Sequence, residues 1–112
     1  MTRMSDDATT ELCSRFRGPV MDVVAAAIGA QGADGFLPVS QAVERLRAVT
    51  NDATALSVDA GLARWTASAP VFFAEVDRAL EHRDGPALWA AVTHHEHGVD
   101  LLGKACAGHP GW

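Results

Sequence analysis

Apolar residues recur every three or four positions along most of the chain, which is the spacing of one face of an α-helix. Gly18-Pro19 interrupts the first apolar stripe, and because proline removes a backbone hydrogen bond we expect a kink or a new helix start there. The glycine-rich stretch 29–35 predicts a loop, since glycine is costly inside a helix. The first stripe consists of Leu12, Phe16, Val20, Val23 and Ala27.

The middle of the chain predicts three further helices, each with an apolar stripe. The second begins at Pro38 or Ser40 and ends at 50–52, where polar residues offer caps for the next helix. The third covers roughly residues 53–66, and the fourth follows a cap at Ser68. Their stripes are Val39, Val43, Leu46 and Val49; Ala55, Val58, Leu62 and Trp65; and Phe72, Phe73, Val76 and Leu80.

A fifth helix follows the turn at residues 84–86, with Asp84 as its cap and Pro86 in its first turn. Its apolar stripe is Leu88, Val92, Val99, Leu102 and Cys106. Residues 108–112 contain glycine and proline and predict a non-helical tail. The sequence therefore predicts one all-α domain over residues 1–112. It is a small bundle of about five helices with a short flexible N-terminus (about residues 1–6), and the last two helices form an antiparallel hairpin.

Composition agrees with one small globular domain. The chain has 112 residues, of which 48% are hydrophobic, and a radius of gyration of roughly 13 Å is typical of this length. The net charge is 9 − 14 = −5 and the arginines are scattered, so we expect no nucleic-acid partner. No apolar run approaches the roughly 20 residues that span a bilayer, so we expect no membrane partner either.

The cysteines and the codon-related composition suggest a cellular setting. Cys13 and Cys106 lie far apart in the sequence, and we expect both to be buried reduced thiols of a cytoplasmic protein. The preference for arginine over lysine and the abundance of alanine are typical of a GC-rich, bacterial genome.

Residues 93–100, Thr-His-His-Glu-His-Gly-Val-Asp, are the most polar part of the predicted fifth helix. Projected at 100° per residue, His95 lies on the apolar stripe and His97 points to solvent on the opposite side. His94 and His97, three residues apart, are the candidate metal ligands, and a divalent transition metal would need further ligands from another element. We otherwise expect no cofactor.

The same segment carries an enzyme hypothesis. His95 or His97, working with Glu96 or Asp100, supplies the groups needed for acid–base catalysis. The corresponding cleft would lie between the last two helices. A deep pocket beside these residues would favour this hypothesis.

Residues 72–102 resemble a histidine phosphotransfer domain, because an amphipathic helix and a short turn precede a helix with an exposed histidine. The resemblance implies a helical bundle in which His97 carries a phosphoryl group. Such domains usually have a lysine and a glycine soon after the active histidine, whereas the first lysine here is Lys104.

The main functional hypothesis is a small acidic accessory or regulatory protein that acts through protein–protein contacts. Its partner would be another protein or a second copy of the chain, since homodimerisation would cover spare apolar surface. Trp89 and the terminal Trp112 are the candidate partner-binding residues.

Overall fold

A computed structural model describes residues 4–33, 35–56 and 59–112. Within these ranges the chain forms five α-helices and no strand, which confirms the all-α prediction. Residues 1–3, part of the N-terminus predicted to be flexible, lie outside the described residues. The helices are α1 (Met4–Ala30), α2 (Leu37–Thr54), α3 (Ala60–Glu81), α4 (Gly85–Val92) and α5 (Asp100–Ala105).

Helix α3 lies at the centre of the bundle. It packs against α2, α4 and α5, while α1 packs against α2 and α4. The molecule measures 49 × 23 × 21 Å, and its radius of gyration of 13.9 Å is close to the expected value. None of the described helices combines the length and the apolar character that crossing a bilayer requires.

Most residues of the predicted apolar stripes lie in the core. Phe16, Leu46 and Leu102, from three different helices, are fully buried. Trp65, Phe72 and Phe73 pack edge to face with ring centroids 5.1–6.2 Å apart, the arrangement that aromatic pairs prefer.

Helix α1 runs through Gly18-Pro19 without a new start, so the alternative of a helix restart there is wrong. Proline deprives the Arg15 carbonyl of its usual N–H donor, a cost of roughly 3 kcal/mol in a helix interior. The buried residues Phe16, Val20 and Val23 flank the interruption, and their burial offsets this cost.

The predicted third and fourth helices are a single helix, α3, which continues through Pro70. Asp59 caps it by accepting a hydrogen bond of 3.0 Å from the Leu62 N–H. The predicted caps at 50–52 lie inside α2, and Ser68 lies inside α3, where its hydroxyl donates to the Arg64 carbonyl. Of the predicted third stripe, Ala55 is exposed and Val58 lies outside the described residues.

The predicted fifth helix is two short helices, α4 and α5, separated by residues 93–99. Its beginning is as predicted, since Asp84 accepts a hydrogen bond of 3.0 Å from the Ala87 N–H. At the end of α4 the Thr93 N–H and hydroxyl both donate to the Trp89 carbonyl, and the His94 N–H donates to Ala91, three residues back instead of four. The predicted and observed numbers of helices agree because two errors cancel. The boundary predicted near Ser68 is absent, and the boundary observed at residues 93–99 was not predicted.

Cys13 and Cys106 form a disulfide, so the prediction of reduced thiols is wrong. Their Cα atoms are 5.6 Å apart, within the usual range for a disulfide, and both residues are fully buried. The bond joins the first half of α1 to the residue that follows α5. It therefore ties the two ends of the described chain together.

Candidate functional site

Residues 93–99 form a compact turn between α4 and α5. The Gly98 N–H donates to the His94 carbonyl at 2.7 Å, and the Val99 N–H donates to the Val92 carbonyl at 3.1 Å. A Cβ on Gly98 would lie within 2.6 Å of backbone atoms of His94 and Val92. Only glycine fits at this position, and the turn fixes where the neighbouring histidines point.

The His94 imidazole caps this turn. Its Nδ1 accepts a hydrogen bond of 3.1 Å from the Glu96 N–H. A backbone N–H can only donate, so Nδ1 carries a lone pair and the ring proton sits on Nε2. The ring is therefore held in one tautomer by the backbone that it stabilises.

His97 turns inward and meets a carboxylate from α3. Its Nε2 and Glu75 Oε2 are 2.8 Å apart, and the His97 side chain is only 13% exposed. Nε2–H donates a hydrogen bond to the carboxylate, so in the neutral ring Nδ1 carries the lone pair. The prediction that His97 projects into solvent is wrong, because the segment is a turn and not a helix.

The His94 and His97 rings stack on each other. Their centroids are 3.7 Å apart and their planes differ by 14°. Lone pairs of an imidazole lie in the ring plane, so two parallel rings direct them along parallel planes and not at one ion. Among the described residues no three His, Cys, Asp or Glu side chains are placed to share a metal ion.

His95, predicted to lie on the buried stripe, has an 81% exposed side chain. Glu96 is also exposed, 3.6 Å from the His95 ring. Asp100 begins α5 and pairs with Lys104 at 3.2 Å. The structure therefore separates Asp100 from His97, and the carboxylate that meets His97 is Glu75.

The C-terminal residues 107–112 pack against α1. The indole Nε1 of Trp112 donates to the Cys13 carbonyl at 2.7 Å, and the Arg17 guanidinium donates to the Gly111 carbonyl at 2.8 Å. His109 Nδ1 lies 3.0 Å from the Thr10 hydroxyl. Trp112 is half-buried and packs on the core of its own bundle.

Two neighbouring helices carry large apolar side chains on the surface. Met21 and Ile28 of α1 are 58% and 57% exposed, and Trp89 of α4 is 36% exposed. Met21 and Ile28 are seven residues apart and share one face, with the half-buried Val24 between them. Helix α4 packs beside this end of α1, where Gln31 donates to the Gly85 carbonyl at 2.7 Å.

Glu75 and the pairing of the two cysteines were missed in the sequence. No local pattern relates Glu75 to a histidine 22 residues later in the sequence. An even number of cysteines permits a disulfide, which was the one available signal for the pair.

Comparison of the chain with protein-family models, with curated proteins and with solved structures finds no match.

Proposed function

We propose that this protein acts by binding other protein chains, as an accessory or regulatory factor, through the apolar surface formed by Met21, Ile28 and Trp89. The observation that carries the proposal is the exposure of these three large side chains on two adjacent helices. Large exposed apolar side chains that lie close together are typical of interaction sites, and tryptophan is enriched among the residues that dominate binding energy. A second copy of the chain is the first partner to test.

The cellular setting belongs to the proposal as well. Bacterial origin stays a prediction from composition, and cytoplasmic location stays a prediction that assumed reduced cysteines. The Cys13–Cys106 disulfide favours an oxidising compartment instead, since buried disulfides persist there.

The antiparallel hairpin of the last two helices also stays a prediction.

Sedimentation equilibrium across a range of concentrations tests the proposal. We expect the wild type to self-associate, and we expect the double variant Met21→Glu/Ile28→Glu to stay monomeric because it places two charges in the apolar surface. Val71→Glu is the matched control, since Val71 is half exposed on α3, a helix that contributes no residue to this surface. Self-association should survive in the control.

If the wild type is monomeric, the partner under the proposal is a different protein and not a second copy of the chain. Immobilised wild type and Val71→Glu should then retain a partner from the native host that Met21→Glu/Ile28→Glu loses. If all three proteins are monomeric and retain the same material, the proposed surface is not an interaction site.

A second candidate function, acid–base catalysis, is supported by the hydrogen bond between His97 and Glu75. A carboxylate that orients an imidazole is the arrangement of many general bases. Glu75 also lines a hollow of about 240 Å³ with Arg78 and His82, which offers space for a small substrate. The same carboxylate would repel a phosphoryl group, so this candidate is preferred to histidine phosphotransfer.

Screening for turnover with wild type and His97→Asn tests the second candidate. An activity that His97→Asn and Glu75→Gln both lose, while His95→Asn keeps it, would support acid–base catalysis at this pair. An activity that is indifferent to both substitutions would exclude it.

A further inference from the structure

A groove of about 490 Å³ lies between α2 and α3, on residues that the proposed function does not use. This volume is within the range of roughly 300–1,000 Å³ that small-molecule sites occupy. Its floor is apolar and includes Ala69, Pro70 and Phe73. Polar side chains lie at both ends of the groove. One end carries charged side chains and the other carries threonine hydroxyls.

One end of the groove is closed by an ion pair. Arg47 Nη2 donates to both carboxylate oxygens of Asp77 at 3.0 and 3.1 Å, and the guanidinium lies 4.6 Å from the centroid of the Phe73 ring. Arg47 Nε also lies 3.4 Å from Glu44 Oε1, so two carboxylates surround this one cation. Recognition of a ligand therefore falls to the other end, seven residues further along α2 and about 10 Å away along the helix axis.

The second end, at Thr54 and Thr66, is rich in hydrogen-bond acceptors. The Thr54 hydroxyl donates to the Thr50 carbonyl at 2.9 Å, and the Thr66 hydroxyl donates to the Ala63 carbonyl at 3.0 Å. A hydroxyl has one proton, so both oxygens retain only lone pairs for a ligand. Both threonines line the groove.

Pro70 adds a third acceptor. In a regular helix its N–H would donate to the carbonyl four residues earlier, which belongs to Thr66. Proline has no N–H, so that carbonyl lacks its usual helical donor. Thr66 and Pro70 both line the groove, so the carbonyl that lacks its helical donor belongs to a residue of the groove wall.

We propose that this groove binds a small molecule with an apolar body and a primary ammonium group. An ammonium has three donors and no lone pair, which complements the three acceptors at the end formed by Thr54 and Thr66. The apolar body lies over Ala69, Pro70 and Phe73. The net charge of −5 attracts a cation, whereas a carboxylate at Thr54 and Thr66 would meet the lone pairs of their hydroxyl oxygens.

Isothermal titration of the full chain with three matched probes tests the ligand chemistry. The probes are 3-phenylpropylamine, 3-phenylpropanol and 3-phenylpropionate, which share an apolar body and differ in the polar group. Saturable binding of the amine, weaker binding of the alcohol and no binding of the carboxylate are expected. Absent amine binding, or equal binding of amine and carboxylate, would overturn the proposal.

Pro70→Ala tests the freed carbonyl directly. The alanine N–H can donate to the Thr66 carbonyl and remove it as an acceptor, so amine affinity should fall about tenfold, the value of one hydrogen bond to a charged group. Pro19→Ala is the control, because it restores the same bond in α1, away from the groove. Equal amine affinity in Pro70→Ala and wild type would show that the carbonyl has no part in binding.

Ala74→Leu tests the location of the site without emptying the core. Ala74 is exposed on the groove wall, and a leucine there fills the groove while the fold is retained. Amine binding should be lost in this variant. Retention of wild-type affinity would place the amine elsewhere and overturn the proposal.

Discussion

At the scale of single residues, the turn between α4 and α5 shows how backbone contacts decide which side chains are available. The close approach at Gly98 closes the turn, and the turn brings His97 under His94 and against Glu75. His95 is left in solvent. The histidines could be recognised in the sequence as the chain's main polar cluster. Their exposures could not, because helical projection assumes that the helix continues.

Gly98→Ala should destabilise the protein by about 1–3 kcal/mol, since the new methyl group meets backbone that cannot move away. Gly103→Ala is the matched control. The nearest atom to a Cβ at Gly103 is 3.9 Å away, and alanine favours the helix, so this variant should be as stable as wild type or more so. Urea unfolding of both variants provides the comparison. Equal losses in the two would contradict the described turn.

The histidines should differ in their effect on stability. His95→Ala removes an exposed ring and should change the free energy of unfolding by no more than about 0.5 kcal/mol. His97→Ala removes the hydrogen bond to Glu75 and the stacked ring, and we expect a loss of about 1–2 kcal/mol. Chemical denaturation measures both losses. A larger loss for His95→Ala than for His97→Ala would contradict the described turn and favour a continuous helix in which His95 is buried.

At the scale of elements, α3 explains why core positions were easier to predict than helix boundaries. Leu62, Trp65, Phe72, Phe73 and Val76 are buried as their spacing indicated, because a stripe needs only local helical geometry. The boundary expected near Ser68 does not exist, since the cost of Pro70 is smaller than the gain from a continuous buried face. Such a balance depends on packing partners that the local sequence does not identify.

Phe73→Ala should cost about 3–5 kcal/mol, the usual range for emptying a large aromatic site. Phe73 is buried beside Trp65 and Phe72, and its ring also supports the Arg47 guanidinium. Thermal unfolding of the variant measures the loss. A shift of the midpoint below one degree would mean that Phe73 contributes no packing, contrary to its position in α3.

At the scale of the whole molecule, the disulfide and the C-terminal residues hold α1 against α5 and the chain end. The bond spans 93 positions in the sequence, and three hydrogen-bonded pairs lie close to it: Thr10 with His109, Cys13 with Trp112, and Arg17 with Gly111. The helical class was predictable from periodicity. The disulfide was not predictable, because the distance in space between two cysteines so far apart in the sequence depends on how the helices pack.

Cys13→Ser/Cys106→Ser should lose about 2–5 kcal/mol, because opening a long covalent loop restores entropy to the unfolded chain. Urea unfolding with and without reductant measures this, and reductant should have little effect on the variant. Two thiols that react with a thiol reagent in the unfolded, unreduced wild type would contradict the disulfide.

The central claim is that Trp89 belongs to a surface that binds another chain, while Trp65 belongs to the core and Trp112 to the packed C-terminus. Incorporation of 5-fluorotryptophan gives one ¹⁹F resonance for each of the three indoles. On raising the protein concentration, or on adding the partner, the Trp89 resonance should shift while the Trp65 resonance stays in place. A Trp89 resonance that is unchanged at every concentration and with every candidate partner would contradict the account.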